Sequence, residues 1–171
     1  MEPYVLQPSS EYPLFITAKR YWIPEFEGNA SSPSAQTLIV LHSTSFHKES
    51  WEPALEDLFQ LASQSGNKTN IREAWAIDCP NHGESANLNH RALSDPGFAK
   101  CMCYCSPRGV WLSDDLLVSC EKYAQAIRRF ISAGLNHGAH VDFQKRNLVG
   151  IGHSLGANAM WVLFPTQFHP T

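Results

Sequence analysis

Five residues near the end of this 171-residue chain have the types and spacing of a nucleophilic serine, Gly152-His153-Ser154-Leu155-Gly156. They match the pattern G-x-S-x-G, in which a serine lies on a sharp turn between a strand and a helix. Glycine is needed on both sides because a larger side chain would collide with the turn. A serine presented in this way can attack an acyl carbon once a base takes its proton. We therefore predict Ser154 as the catalytic nucleophile.

Such a serine also needs backbone N–H groups that stabilise the negative charge developing on the substrate oxygen. One donor is the residue after the nucleophile, here Leu155, and the other lies in a loop after an earlier strand. Residues 42–45, His-Ser-Thr-Ser, follow the continuous apolar run 37–41. We predict Thr44 and Leu155 as the oxyanion donors. The alternative for the loop is an ordinary polar strand end.

Other polar residues are expected to have structural roles. Asp78 and His82 lie in a turn after a predicted strand, and the turn's own hydrogen bonds explain them better than a catalytic pair does. The charged cluster 47–49 is predicted to be solvated at a helix start. His153 is expected to pack against neighbouring loops, and His169 follows Ser154 too closely to act readily as its base.

The five cysteines do not have the spacing of a typical metal site. Cys101, Cys103 and Cys105 alternate, which would place three thiols on one face of a strand, but zinc sites favour C-x2-C pairs and a fourth ligand. We predict a buried or half-buried loop without a metal. An odd cysteine count in a chain without a signal peptide favours reduced thiols.

Composition excludes several classes of partner. The formal net charge of -3 gives no reason to expect nucleic acid. No run approaches the roughly 18 apolar residues of a membrane span. The start, Met1-Glu2-Pro3-Tyr4, is acidic and is not followed by an apolar run, so it does not resemble a secretory signal. An intracellular location is therefore expected.

Apolar patterning predicts alternating strands and helices after an early hairpin. No periodicity is evident in residues 84–110, for which we predict a long loop. Alternation of buried strands with amphipathic helices predicts a mostly parallel sheet with helices on both faces. The predicted strands are 14–18, 21–23, 37–41, 74–77 and 147–151, and the predicted helices are 53–63, one starting at Ser113, and 157–163.

Three motifs in chain order resemble the α/β-hydrolase superfamily. They are the loop His42-Ser43-Thr44, the turn D-x-P-x-H-G-x-S from Asp78 to Ser85, and the G-x-S-x-G pattern. The stretches 38–53 and 145–156 are more specifically similar to fungal hydrolases of secondary metabolism. That group includes the AK-toxin-type hydrolases of toxin biosynthesis and a peroxisomal acyl-CoA hydrolase of mycophenolic acid synthesis.

The resemblance implies an esterase or thioesterase that acts on a small-molecule acyl ester or thioester without a metal or organic cofactor. Members are often peroxisomal, but the C-terminal His169-Pro170-Thr171 is not a peroxisomal tripeptide. Ser43 replaces the usual glycine after the loop histidine. The superfamily's acid and base follow the nucleophile, yet the residues after Ser154 contain no Asp or Glu.

We therefore expect a single domain, 1–171, that is the N-terminal portion of an α/β-hydrolase fold, truncated after the nucleophile helix and impaired in activity. The strand 147–151 would then form an exposed apolar edge through which the chain could self-associate. Two alternatives remain. One is a non-catalytic remnant or binding protein. The other is a dinucleotide-binding reductase, although Gly150-x-Gly152-x-x-x-Gly156 misses the G-x-G-x-x-G spacing by one residue.

Overall fold

The computed structural model describes residues 1–64, 70–95, 120–134 and 141–163. Within these ranges the chain forms strands β1 (Glu2–Leu6), β2 (Ile16–Tyr21), β3 (Gln36–Leu41), β4 (Ile71–Ile77) and β5 (Asn147–Gly152). The α-helices are α1 (Glu52–Ser63), α2 (Gly83–Leu93), α3 (Cys120–Ser132) and α4 (Leu155–Leu163). Short 3-10 helices span Pro24–Asn29, Lys48–Trp51 and Phe143–Lys145.

The strands form one mixed sheet in the order β1-β2-β4-β3-β5. Strand β3 pairs in parallel with both β4 and β5, as the alternation of strands and helices predicts. Strand β2 pairs antiparallel with β1 and with β4. The predicted α/β fold is therefore confirmed, with an antiparallel extension at the β1 side.

Side chains of the central strands alternate between two apolar cores on opposite faces of the sheet. Ile39 and Trp75 belong to the core that includes residues of α3 and α4. Their neighbours Leu38 and Ala74 belong to the core that includes residues of α1. Successive strand residues point to opposite faces of a sheet. Helices α3 and α4 therefore cover one face and α1 covers the other, as predicted.

The predicted early hairpin is wrong. A single strand, β2, runs through Lys19 and Arg20 and pairs with β1, which the sequence did not indicate. The two charges do not end the strand because each has a partner. Lys19 Nζ lies 2.7 Å from a Glu52 oxygen, and Arg20 Nε lies 2.6 Å from a Glu73 oxygen.

The predicted loop over residues 84–110 is also wrong in its first part, which forms helix α2. The buried face of this helix consists of Ser85, Asn89 and Leu93, each four residues apart. Two of the three are polar, so the helical period leaves no trace in the apolar pattern. Helix α2 therefore cannot be recognised from hydrophobicity.

The buried polar face of α2 is satisfied by backbone groups. Asn89 accepts the Phe15 N–H at 2.8 Å, and its amide donates to the carbonyls of Phe15 at 2.9 Å and Pro80 at 3.1 Å. Ser85 Oγ accepts the Thr17 N–H at 2.9 Å. Helix α2 thus attaches to the start of β2 through hydrogen bonds where apolar contacts would be usual.

The remaining helix predictions agree with the structure where it describes them. Helix α1 begins one residue before the predicted start, and α4 begins two residues before it. Ser113, His169 and the cysteines 101, 103 and 105 lie outside the described residues. Among the described helices, none is long and apolar enough to cross a membrane.

Candidate active site

Ser154 lies on the turn between β5 and α4. It has a φ of 51°, a left-handed conformation that residues other than glycine rarely adopt, and its side chain is exposed. The turn is closed by the Gly156 N–H, which donates to the His153 carbonyl at 2.9 Å, and by the Asn158 N–H, which donates to the Ser154 carbonyl at 3.0 Å. This is the strained strand-to-helix turn that G-x-S-x-G requires.

The glycines of this turn are packed against backbone. A Cβ on Gly152 would lie 2.5 Å from the Ala157 nitrogen, and one on Gly156 would overlap the Leu41 carbonyl oxygen. The same carbonyl accepts the His153 N–H at 3.1 Å. The two glycines therefore let the start of α4 pack closely against the ends of β3 and β5.

The predicted oxyanion donors lie at the same edge of the sheet as the nucleophile. Leu41 and Gly152 are paired in register at the carboxyl ends of β3 and β5, so the loop before Thr44 and the turn at Ser154 leave the sheet side by side. Among the described residues, neither the Thr44 nor the Leu155 N–H donates to a backbone carbonyl. Their assignment as oxyanion donors stays a prediction.

Residues 42–46 carry the predicted donor Thr44 and are named the oxyanion loop after that prediction; they also include a left-handed residue. Ser45 has a φ of 66°. Its N–H donates to His82 Nε2 at 3.0 Å, and the following Phe46 N–H donates to the Ser43 carbonyl at 3.2 Å. The ring of Phe46 meets the ring of His153 edge-on, with 6.2 Å between centroids. The oxyanion loop therefore contacts the turn at Ser154, between β5 and α4, through these two rings.

His42 is a buried structural residue. Its Nε2 accepts the Cys79 N–H at 3.0 Å, so its Nδ1 carries the proton and donates to the Ser43 carbonyl at 2.7 Å. Burial lowers the pKa of the ring below its ordinary value. With both nitrogens engaged and the ring neutral, His42 is not available to take a proton from Ser154.

Asp78 does not pair with His82, in agreement with the structural role expected for this turn. Its carboxylate accepts the Thr17 hydroxyl at 2.8 Å and the backbone N–H groups of Lys48 at 2.7 Å and Glu84 at 3.1 Å. It also accepts the Lys48 ammonium at 2.9 Å. The carboxylate is fully buried, and it ties the segment after β3 to the segment after β4.

The expectation that residues 47–49 form a solvated charge cluster is wrong for Lys48. Its side chain is 2% exposed, and its ammonium lies among the carboxylates of Asp78, Glu49 and Glu84. Burial alone would lower the pKa of Lys48, but the carboxylates of Asp78, Glu84 and Glu49 together outweigh burial, and the pKa is raised. His47 is exposed as expected, with its Nδ1 2.9 Å from a Glu49 oxygen.

The described residues contain no cluster of His, Cys, Asp and Glu arranged to hold a metal ion. Cys79 is fully buried, and burial raises the pKa of its thiol well above the ordinary value. A thiol in that state is a packing group and a poor nucleophile. Ser154 is therefore the side chain in this region best placed for nucleophilic chemistry.

A mixed sheet with a serine on the turn between β5 and α4 is the arrangement expected of an α/β-hydrolase. Residues 38–164 match the alpha/beta hydrolase family. The chain belongs to this family. No curated protein gives a significant match over the sequence.

Two solved structures match the chain, and the first of them is similar in fold. The peroxisomal α/β-hydrolase Lpx1 of Saccharomyces cerevisiae is 23% identical, with a TM-score of 0.55, and the alignment covers 98% of this chain and 42% of that one. The siderophore hydrolase EstA of Aspergillus nidulans is 18% identical, with a TM-score of 0.39, and the alignment covers 91% and 48%. The chain thus spans less than half the length of either protein.

Proposed function

We propose that this chain carries the nucleophile and the oxyanion donors of a serine hydrolase that cleaves acyl esters or thioesters. The observation that carries the proposal is the exposed Ser154, held at a φ of 51° between β5 and α4. That conformation costs free energy, and strain of this kind is found where a side chain must be presented to a substrate. The adjacent oxyanion loop supports the same function.

The proposed reaction has two steps. Ser154 Oγ forms a bond to the acyl carbon while a base takes its proton, and the Thr44 and Leu155 N–H groups stabilise the oxyanion. The oxyanion collapses, the alcohol or thiol leaves with the proton, and an acyl-Ser154 ester remains. Water then attacks this ester in the same way and releases a carboxylic acid. We assign the base to neither His42 nor His82, because both rings are engaged at both nitrogens.

The substrate class and the setting are finer proposals. The resemblance of residues 38–53 and 145–156 to fungal hydrolases supports an acyl intermediate of toxin or secondary-metabolite biosynthesis, as an oxygen ester or a coenzyme A thioester. The similar yeast structure is named as peroxisomal, which supports a peroxisomal location as a proposal. No metal or organic cofactor takes part in the proposed chemistry.

A fluorophosphonate probe tests the nucleophile. The probe phosphonylates an activated serine with loss of fluoride, so the chain should be labelled and Ser154→Ala should abolish labelling. The matched control is Ser63→Ala, because Ser63 is an exposed serine at the end of α1 and its removal should leave the labelling rate unchanged.

The same experiment separates catalysis from a binding role. Labelling that persists in Ser154→Ala, or a folded chain that is never labelled, would contradict the serine hydrolase and favour the non-catalytic alternative. Labelling confined to Ser154, followed by release of p-nitrophenol from p-nitrophenyl acetate or thiol from an acyl-CoA, would support hydrolysis and distinguish the ester from the thioester.

A further inference from the structure

The oxyanion loop contains no glycine, yet it includes a left-handed residue. Residues 42–46 read His-Ser-Thr-Ser-Phe, and the positive φ of 66° falls on Ser45. A residue with a Cβ does not hold this conformation without support from its surroundings. Within the loop the Phe46 N–H donates to the Ser43 carbonyl, and a second contact from outside the loop engages the Ser45 N–H.

The support comes from the turn after β4. His82 Nε2 accepts the Ser45 N–H at 3.0 Å, across 37 positions of sequence. The ring itself is held from its other side, because His82 Nδ1 lies 2.7 Å from Asn81 Oδ1, an acceptor. The Nδ1 atom must therefore carry the proton, and the Nε2 lone pair is directed to Ser45.

His82 is also fixed in place by its neighbours. Its ring lies 5.2 Å from the ring of His42, centroid to centroid, and the His42 ring is itself held by Ser43 and Cys79. The two histidines form reciprocal links: His42 accepts an N–H of the β4 turn, and His82 accepts an N–H of the oxyanion loop. The loop and the turn therefore keep a fixed relative position.

We propose that His82 is a positioning residue for the hydrolase reaction, holding Ser45 in its left-handed conformation so that the preceding Thr44 N–H is directed at the substrate oxyanion. This inference rests on the proposed function of Ser154 and extends it to a residue outside the nucleophile turn. The ring touches neither Ser154 nor the reacting atoms, and it acts through Ser45. Oxyanion donors stabilise the transition state only when they are oriented in advance.

Two variants and a control test the effect on the reaction. His82→Leu keeps most of the volume and removes the acceptor, and His82→Gln supplies an oxygen acceptor at a similar reach. We expect His82→Leu to lower the fluorophosphonate labelling rate and kcat for p-nitrophenyl acetate about tenfold with KM unchanged, less than the roughly 10²–10³-fold loss from deleting a donor. His82→Gln should recover part of the rate. His90→Gln, an exposed histidine on α2, should match the wild type.

Nuclear magnetic resonance of the unmodified chain tests the positioning without any activity. Long-range ¹H–¹⁵N spectra should show His82 protonated at Nδ1 only, and the Ser45 amide resonance should shift in His82→Leu and less in His82→Gln. An Nε2-protonated ring, an unmoved Ser45 amide, or wild-type labelling by a folded His82→Leu would each overturn the proposal. If Ser154→Ala labels like the wild type, the proposed function fails instead, and the Ser45 and His82 resonances still decide the loop contact.

Discussion

Gly156 packs directly against the carbonyl of Leu41, the last residue of β3, and the same carbonyl accepts the His153 N–H at 3.1 Å. The Leu41 carbonyl at the end of β3 thus fixes the turn at Ser154 through two contacts, one with Gly156 and one with His153. Because the oxyanion loop begins at the next residue, this contact also sets the position of Ser154 relative to the proposed oxyanion donors. The absence of a Cβ at Gly156 is what permits it.

Gly156→Ala should therefore destabilise the fold. The added methyl group would overlap the Leu41 carbonyl, which cannot rotate away as a flexible side chain would, and overpacking of this kind costs about 1–3 kcal/mol or more. Urea denaturation followed by circular dichroism measures the change in the free energy of unfolding. Gly28→Ala is the control, since a Cβ there meets nothing within 4 Å, and an equal loss in both variants would contradict the packing argument.

The Lys48–Asp78 pair gives a second prediction, because both side chains are buried. Lys48→Met removes the ammonium and leaves the Asp78 carboxylate in the interior without a counter-charge, at an expected cost of about 3 kcal/mol in the free energy of unfolding. The double variant with Asp78→Asn should lose less than the sum of the two single losses. That coupling is measured by a double-mutant cycle.

The control for this cycle is Lys145→Met. Lys145 forms an ion pair with Asp142 at 3.0 Å, but its side chain is 83% exposed, so its loss should change the free energy of unfolding by about 0.5 kcal/mol or less. Additive losses for Lys48→Met and Asp78→Asn would show that the buried pair does not act as a unit.

The parts of the fold that the sequence predicts well are those built from apolar side chains. Strand β3, helix α1 and the Ser154 turn were recognised because their apolar residues recur at strand or helix spacing, or because glycine is obligatory. The elements that the sequence predicts wrongly bury polar or charged side chains. Helix α2 buries Ser85 and Asn89, and β4 begins three residues earlier than predicted because it includes the buried Arg72 and Glu73.

The candidate site follows the same rule. Ser154 and the predicted donors Thr44 and Leu155 could be proposed from the sequence because they follow strand ends in a fixed order, whereas the contact made by His82 could not. Its partner, the Ser45 N–H, is a backbone group 37 positions away, and no residue type signals such a contact. Buried polar partners become visible only when the structure shows which backbone groups need an acceptor.

Acidification gives a third prediction. Burial lowers the pKa of both His42 and His82, against the opposing effect of Asp78, so each ring stays neutral below the ordinary histidine pKa of 6.5. As the pH falls through this value, the unfolded chain takes up the protons first, and the free energy of unfolding therefore decreases. The stability that the two neutral rings contribute is fully present above pH 6.5. It is lost once the pH falls below the pKa values that His42 and His82 have in the folded chain.

Urea denaturation at several values from about pH 7.5 to about pH 5.5 measures this dependence. His82→Gln removes one of the two rings whose pKa is lowered by burial, and it should therefore flatten the curve relative to the wild type. A free energy of unfolding that rises on acidification in this range would contradict the assignment of neutral rings.

The two edge strands of the described sheet give the last prediction. Strand β5 pairs with β3 on one side and with no described strand on the other, and its residues are exposed or half-buried, whereas β4 is buried throughout. Because no strand among the described residues takes up the N–H groups along this edge of β5, we expect them to pair with a second copy of the chain. We expect concentration-dependent association, seen by light scattering, with amides 147–151 exchanging more slowly as concentration rises.

Strand β1 is the internal control, because Pro3 lacks an N–H and Glu2 adds a charge, both of which oppose strand pairing. A chain that stays monomeric, or equal slowing in β1, would contradict association through β5.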